Sequence, residues 1–258
     1  MNYGMLRHSI IDNNENSYLT ATGKIDYNMT NDYMFRVILQ ENKIVLKGLI
    51  CSLLHYDKDY IKSIEVKNPI ILGETIDEKT YVLDVNILMN DDTIINLEMQ
   101  MQDLNNWTDR ALSYTCRNFT HLQKGSEYIE TQPVIHIGFL DYTLFPEHPE
   151  FYATYMLQNI KNHHLFSSKI RIGVVNLNQT KLATDDDKFY GIDQWVALFK
   201  SKTWEELRMI ANEKTELLEA TKSLAETIQE QAETIQEQAE TIDELTSYIK
   251  ELEEKLAN

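Results

Sequence analysis

Cysteine is almost missing from this chain of 258 residues: only Cys51 and Cys116 occur, both inside apolar-periodic stretches. Two such residues make neither a disulfide framework nor a zinc-ligand cluster, so a reducing, cytoplasmic setting is expected. Long apolar runs are missing as well. No stretch approaches the roughly 18 residues that a membrane span requires. The N-terminus has no basic region followed by an apolar segment and a small-residue cleavage site. The expectation is a protein that neither crosses a membrane nor is exported. Positive charge is also in short supply, with 24 Lys and Arg against 41 Asp and Glu and a net charge of -17. Phosphate neutralisation by Lys and Arg supplies most non-specific affinity for nucleic acid, so this balance argues against tight, unselective DNA binding. The deficit is uneven: residues 204–258 hold 5 Lys and Arg against 15 Asp and Glu, and residues 1–203 hold 19 against 26.

What is present suffices for one well-filled core with an appendage: 43% hydrophobic residues, three Trp, fourteen Tyr and eight Phe. Residues 1–22 include the polar run Asn13-Asn14-Glu15-Asn16-Ser17, lack a sustained apolar period and read as a mobile leader. Residues 23–205 read as one α/β domain. Thr30 is placed to cap a helix carrying Tyr33, Met34, Val37 and Ile38, and Ile44 to Leu54 forms a second, strongly apolar helix. After Pro69, Tyr81 to Met89 and Thr93 to Met101 have strand character on either side of the turn-prone Asn90-Asp91-Asp92. A helix is predicted from Trp107 to Lys124, with Trp107, Ala111, Tyr114, Cys116, Phe119 and Leu122 at apolar positions and Gly125 at its end. Val134 to Leu140 and Ile170 to Leu177 are near-continuous apolar runs, as for strands covered on both faces, and Phe151 to Leu157 is a further strand. Pro146 and Pro149 fall in a loop between them, and Asp185-Asp186-Asp187 reads as a solvated loop rather than a metal site. The order predicts a mixed sheet flanked by helices.

Residues 206–258 read as a long C-terminal coiled-coil helix. AETIQEQ occurs twice in succession and is followed by AETIDEL, a heptad repeat. Ile228, Ile235, Ile242, Ile249 and Leu256 fall at position a, and Leu217, Leu224, Gln231, Gln238, Leu245 and Leu252 at position d. Ile at a with Leu at d favours a parallel two-stranded coil, hence a homodimer; Gln231 and Gln238 weaken its middle.

The hairpin around Asn90-Asp91-Asp92 says most about chemistry. Leu83, Val85, Ile87 and Met89 take one face of its first strand and Asp84 and Asn86 the other, while Ile95, Leu97, Met99 and Met101 oppose Asn96, Glu98 and Gln100 in the second. A three-residue loop pairs Met89 with Thr93, Asn86 with Asn96 and Asp84 with Glu98. A two-residue loop would mix polar with apolar faces, so the alternation selects the first register. Opposed Cβ atoms lie about 4.5–5.5 Å apart, which allows both carboxylates to bind one hard cation, Mg²⁺ or Mn²⁺. Gln100 points into the same space and can orient a water, but it cannot act as a base or add charge. Taken alone, an Asp and a Glu on neighbouring strands also fit a solvated outer face.

Leu83-Asp84-Val85, the short turn and Asn96-Leu97-Glu98-Met99-Gln100 resemble the active-site hairpin of PD-(D/E)xK nucleases. More narrowly, they resemble the recombination-promoting nucleases and putative transposases, which also have an Asn31-Asp32-Tyr33-Met34-Phe35 type of segment and an Arg and a Tyr after the hairpin, here Arg110 and Tyr114. The similarity covers roughly residues 24–205. It implies a restriction-endonuclease-like fold and Mg²⁺-dependent DNA cleavage, with Asp84 and Glu98 as metal ligands and the Met99 carbonyl as a third. Gln100 takes the place of the superfamily's Lys, a substitution usual in the narrower family, and Asp32 and Tyr114 are supporting candidates. Asp32 equally suits the first turn of a helix.

For DNA contact, Arg110, Arg117, His121 and Lys124 form a stripe on the helix after the hairpin; a solvated helix face has the same pattern. His163-His164 do not point together in regular structure and are not read as metal ligands, and Trp195 and Trp204 read as packing residues. Two functions of different class follow: a metal-dependent DNA endonuclease, or a catalytically silent nuclease-like module that oligomerises or recruits a partner through its coiled coil. RNA cleavage would use the same metal chemistry.

Overall fold

The computed structural model describes residues 21–71, 81–120, 125, 127–212 and 218–256. Residues 1–20, most of the expected leader, lie outside them. Helix α1 (Asp32–Glu41) is capped by Asn31 rather than Thr30: the Asn31 side chain accepts from the Tyr33 and Met34 N–H groups, while the Thr30 hydroxyl turns back to Asn28 Oδ1 at 2.7 Å. A carboxamide oxygen at the cap reaches two amides that a hydroxyl one residue earlier does not. Asn42 ends α1 and caps α2 (Lys43–Leu54) in the same way.

Strand β1 (Ile64–Lys67), the short ribbon β2 (Ile70–Ile71) and β3 (Tyr81–Val82), and the hairpin β4 (Val85–Met89) and β5 (Thr93–Gln100) lead to α3 (Trp107–Phe119). β6 (Val134–Leu140), β7 (Tyr152–Gln158) and β8 (Leu165–Asn176) complete a six-stranded sheet in the order β1-β4-β5-β6-β8-β7. β5, β6 and β8 run parallel, whereas β1, β4 and β7 pair antiparallel to their neighbours. Helices α4 (Asp185–Phe189), α5 (Ile192–Lys200), α6 (Trp204–Asn212) and α7 (Leu218–Leu256) follow. The architecture is mixed α/β, consistent with a restriction-endonuclease-like fold.

The hairpin has the register that alternation demands. Met89 pairs with Thr93 and Asn86 with Asn96 across a three-residue loop, in which Asn90 and Asp91 adopt the left-handed region at φ 51° and 61°. These residue types tolerate that conformation best after glycine. Val85, Ile87, Met89, Ile95, Leu97 and Met99 consequently face one core with α1, α2 and α5. Phe35, Phe139 and Phe199 meet there edge to face at 5.4–6.1 Å, and Trp195 is fully buried with its indole N–H donating to Ser52 Oγ at 2.9 Å.

The other face of the sheet is covered by α3, through Trp107 and Ala111 on Leu140 and Val174. Its buried residues are Trp107, Ala111, Thr115 and Asn118, and Cys116 is exposed. The expected apolar stripe through Cys116 is thus corrected: α3 lies over β6 and β8, and the arc it turns to the sheet runs at helical spacing through Trp107, Ala111, Thr115 and Asn118. Its described part ends at Phe119; His121, Leu122 and Lys124 lie outside the described residues. The acidic run is likewise no loop: Asp185 to Asp187 form the first turn of α4, where Thr184 and Asp187 make a reciprocal capping box and acidic side chains suit the helix dipole.

The C-terminal segment is divided. Trp204 and Leu207 of α6, and Leu224 and Ile228 of α7, are buried in the domain's own core. Asn42 ties α7 down, donating to the Ser223 carbonyl and to the hydroxyls of Ser223 and Thr227 at 2.6–3.1 Å. Farther along, Ile242, Leu245, Ile249 and Leu252 are exposed.

Candidate active site

Asp84 lies on a bend immediately before β4, and extending the register sets it against Glu98 on β5. Its Oδ2 accepts the Met99 N–H at 3.0 Å, and its Oδ1 pairs with Arg36 of α1 at 3.1 Å. Gln40, one turn on from Arg36, donates to the Asp84 carbonyl at 3.0 Å, so α1 holds both ends of the residue. Burial pushes the Asp84 carboxyl above its ordinary pKa. The Met99 N–H and Arg36 oppose that shift, and the charges of Glu98 and Asp32 add to it.

Glu98 is buried, with 7% of its side chain exposed, beneath α3. Its Oε1 pairs with Arg110, and its Oε2 faces His136 Nε2 at 3.2 Å. That approach is not a hydrogen bond, and among the described residues neither atom has another partner. Arg110 also donates to Gln100 Oε1, and the Gln100 amide donates in turn to the Gln102 carbonyl at 2.7 Å. Arg110 therefore leaves the outward stripe expected of it and joins the acid pair. Gln100 holds the guanidinium and brings no charge of its own.

His136 and Asn96 complete the buried polar layer. They are partners in the β5–β6 register, with Asn96 Nδ2 2.7 Å from His136 Nδ1. The rings of Trp107 and Tyr114 lie 5.7 and 6.1 Å from the imidazole. Trp107 comes this close because residue 138 is glycine: a Cβ there would stand 2.2 Å from Trp107 Cζ2. Tyr142, after β6, feels Asp103, Arg110 and Glu98; its phenol is pushed up to about 12, chiefly by burial, and its buried hydroxyl has no hydrogen-bond partner among the described residues.

The hairpin residues and Arg110 are thus brought together, and Tyr114 is near them. Asp32 is exposed at the start of α1 and reaches the site only through its charge. Arg117 is half-buried on α3, and Lys124 lies outside the described residues. Sequence reasoning passed over Arg36, His136 and Tyr142. A histidine within the otherwise apolar run VIHIGFL was the visible signal for one of them, because a buried imidazole needs polar partners.

Among the described residues, no three His, Cys, Asp or Glu side chains form a metal-binding group. The residues present nevertheless fit a hard divalent cation, because such ions bind through one or two carboxylates and keep several waters. Asp84 and Glu98 offer two such carboxylates, and among the described residues Glu98 Oε2 has no hydrogen-bond partner. A strand residue's carbonyl leaves on the same side as its N–H, so the Met99 carbonyl faces the gap where Asp84 takes the Met99 N–H.

Over residues 29–251 the chain matches the family described as PD-(D/E)XK nuclease family transposase. The match spans most of the chain, which therefore belongs to that family. No curated protein and no solved structure matches.

Proposed function

From membership of the PD-(D/E)XK nuclease transposases, we propose that the chain is a metal-dependent DNA endonuclease that hydrolyses phosphodiester bonds at Asp84 and Glu98. The observation that carries this reading is the convergence of two carboxylates, one just before β4 and one on β5, with two arginines from helices on opposite faces of the sheet. A bound Mg²⁺ or Mn²⁺ would polarise the scissile phosphate and lower the pKa of the attacking water. Asp84, Glu98 and the Met99 carbonyl would hold it.

The chain's own side chains supply the rest. A guanidinium forks onto two phosphate oxygens and stays charged at any working pH, so Arg110 provides at α3 the cation that Gln100 lacks on β5. Arg36 brings a second one from α1. Gln100 aims Arg110, Asp32 tunes Asp84 through space, and Tyr114 packs over the buried polar layer. With its pKa pushed up to about 12, Tyr142 remains a donor at neutral pH. Arg117 and Lys124, farther along the segment that includes α3, would meet the DNA backbone. The exposed end of α7 would pair with a second copy as a parallel coiled coil and coordinate cuts on both strands.

The same arginines also favour a second reading. Both carboxylates are already neutralised within the chain, a state that needs no metal and suits a silent interaction module.

Supercoiled plasmid, incubated with Mg²⁺ or Mn²⁺, separates the readings. Wild type should nick and linearise it and Glu98→Ala should leave it intact. A chain ending at Gln238, which keeps the docked Leu224 and Ile228, should nick but lose linear product. An intact plasmid with every form, and no thermal stabilisation by Mn²⁺, would transfer the conclusion to the silent module.

A further inference from the structure

Glu98 has a problem of aim. Arg110 holds one of its oxygens, and a carboxylate beside a guanidinium gains most by turning both oxygens onto the fork. Such a turn would withdraw Glu98 from any cation shared with Asp84. Something must hold Oε2 away from Arg110, and His136 Nε2 faces it at 3.2 Å, a close electrostatic contact that falls short of a hydrogen bond.

His136 is fully buried and has little freedom to move. β-pairing seats it beside Asn96, and the rings of Trp107 and Tyr114 flank it. Asn96 lies with its Nδ2 2.7 Å from Nδ1. An amide N–H donates, so Nδ1 accepts, and a neutral ring then carries its proton on Nε2, toward Glu98. The opposite assignment, with the Asn96 amide turned over, would set the Nε2 lone pair against a carboxylate oxygen at 3.2 Å. The carboxylate therefore selects the same tautomer as the amide does.

We propose that His136 is a positioning residue: clamped by Asn96, it fixes the carboxylate plane of Glu98 and keeps it from closing onto Arg110, so that the acid stays available to a divalent cation. The proposal rests on the reading of Glu98 as a metal ligand. Groups that orient ligands in this way typically change metal affinity by about 10–100-fold when removed.

The test is an Mn²⁺ titration of the full chain, followed by thermal shift and by calorimetry, neither of which depends on cleavage. His136→Leu fills the space without a polar atom, whereas His136→Gln returns an N–H near the same place. Leu should raise the half-saturating Mn²⁺ concentration about 10–100-fold, and Gln should recover most of that loss. If Leu binds Mn²⁺ as wild type does, or Gln as weakly as Leu, His136 is only a core residue and the proposal is overturned. Where His136→Leu does not fold, Asn96→Ala decides, because it releases the clamp and leaves the ring: a weaker Mn²⁺ midpoint supports the proposal and an unchanged one overturns it. Wild type that gains nothing from Mn²⁺ removes the metal-site reading itself and the proposal with it.

Discussion

Arg110→Ala should destabilise the metal-free protein and make it respond more strongly to metal. The guanidinium is the ion-pair partner of Glu98 Oε1, and the two side chains are 23% and 7% exposed. Removing one member of a buried pair leaves an uncompensated charge at a cost of about 3–5 kcal/mol. Because Arg110 keeps some contact with water, the lower end applies. For a chain of this size about 1 kcal/mol moves the melting temperature by about 2–4 °C, so a fall of about 6–12 °C is expected in EDTA at neutral pH. Glu98→Gln combined with Arg110→Ala should be less destabilised than Arg110→Ala, because no charge is then stranded. Mn²⁺ should stabilise Arg110→Ala more than wild type, since no guanidinium competes for Oε1, while plasmid cleavage by the variant falls. Thermal melts of the three proteins, with EDTA and with Mn²⁺, read the stabilities, and the plasmid assay reads the cleavage. A single mutant melting within about 1 °C of wild type in EDTA, or equal Mn²⁺ gains for both, would refute the reasoning.

Two further perturbations probe the same site. The Asp84 carboxyl is raised above its unfolded value, mainly by burial. Its contribution to stability is therefore full below the unfolded pKa and is lost as pH rises through the folded one. In EDTA, Asp84→Asn should melt above wild type at neutral pH, the advantage should shrink on acidification, and the Mn²⁺ midpoint of wild type should rise as protons compete; a variant less stable than wild type at neutral pH would reverse the sign and reject the argument. Gly138→Ala puts a Cβ 2.2 Å from Trp107 and must displace α3 with Arg110 on it, at a cost of about 1–3 kcal/mol and with loss of cleavage. Gly173→Ala, whose nearest neighbour would be Ile137 Cγ1 at 3.2 Å, should be milder, and equal melts for the two variants would refute that account.

The hairpin was legible because its two faces constrain one another. Only a three-residue loop keeps Val85, Ile87 and Met89 on the side of Ile95 and Leu97 and also brings Asn86 to Asn96, and the ladder follows that register. The long parallel strands were legible for a related reason, since burial on both faces leaves a continuous apolar run. The side chains that neutralise the acids were not. Arg36 and Arg110 sit on helices from opposite faces of the sheet, and no local pattern says that a helical arginine turns inward to a carboxylate on another element. The covering of α7 was hidden for a different reason. An apolar heptad position predicts burial but not the chain that buries it, and Leu224 and Ile228 meet their own domain where the repeat by itself suggested a partner.

The site also bears on how so acidic a chain would approach DNA. Asp84 and Glu98 stand against Arg36 and Arg110, so without a cation these four side chains are close to balanced, and the rest of residues 1–203 carries a surplus of acid. A phosphodiester then finds little attraction. Under the proposed reading a divalent cation changes the sign of the site as well as enabling its chemistry, and it frees the two guanidinium forks for phosphate oxygens. Duplex affinity should then depend on metal even when no bond is broken. Ca²⁺, a hard oxygen-seeking ion, is the probe for that. Fluorescence anisotropy of a labelled duplex at fixed ionic strength should show binding by wild type with Ca²⁺ and little with EDTA, and Glu98→Ala should lose the difference. Equal binding with and without Ca²⁺ would mean that another surface carries the DNA and that the acid pair contributes nothing to its capture.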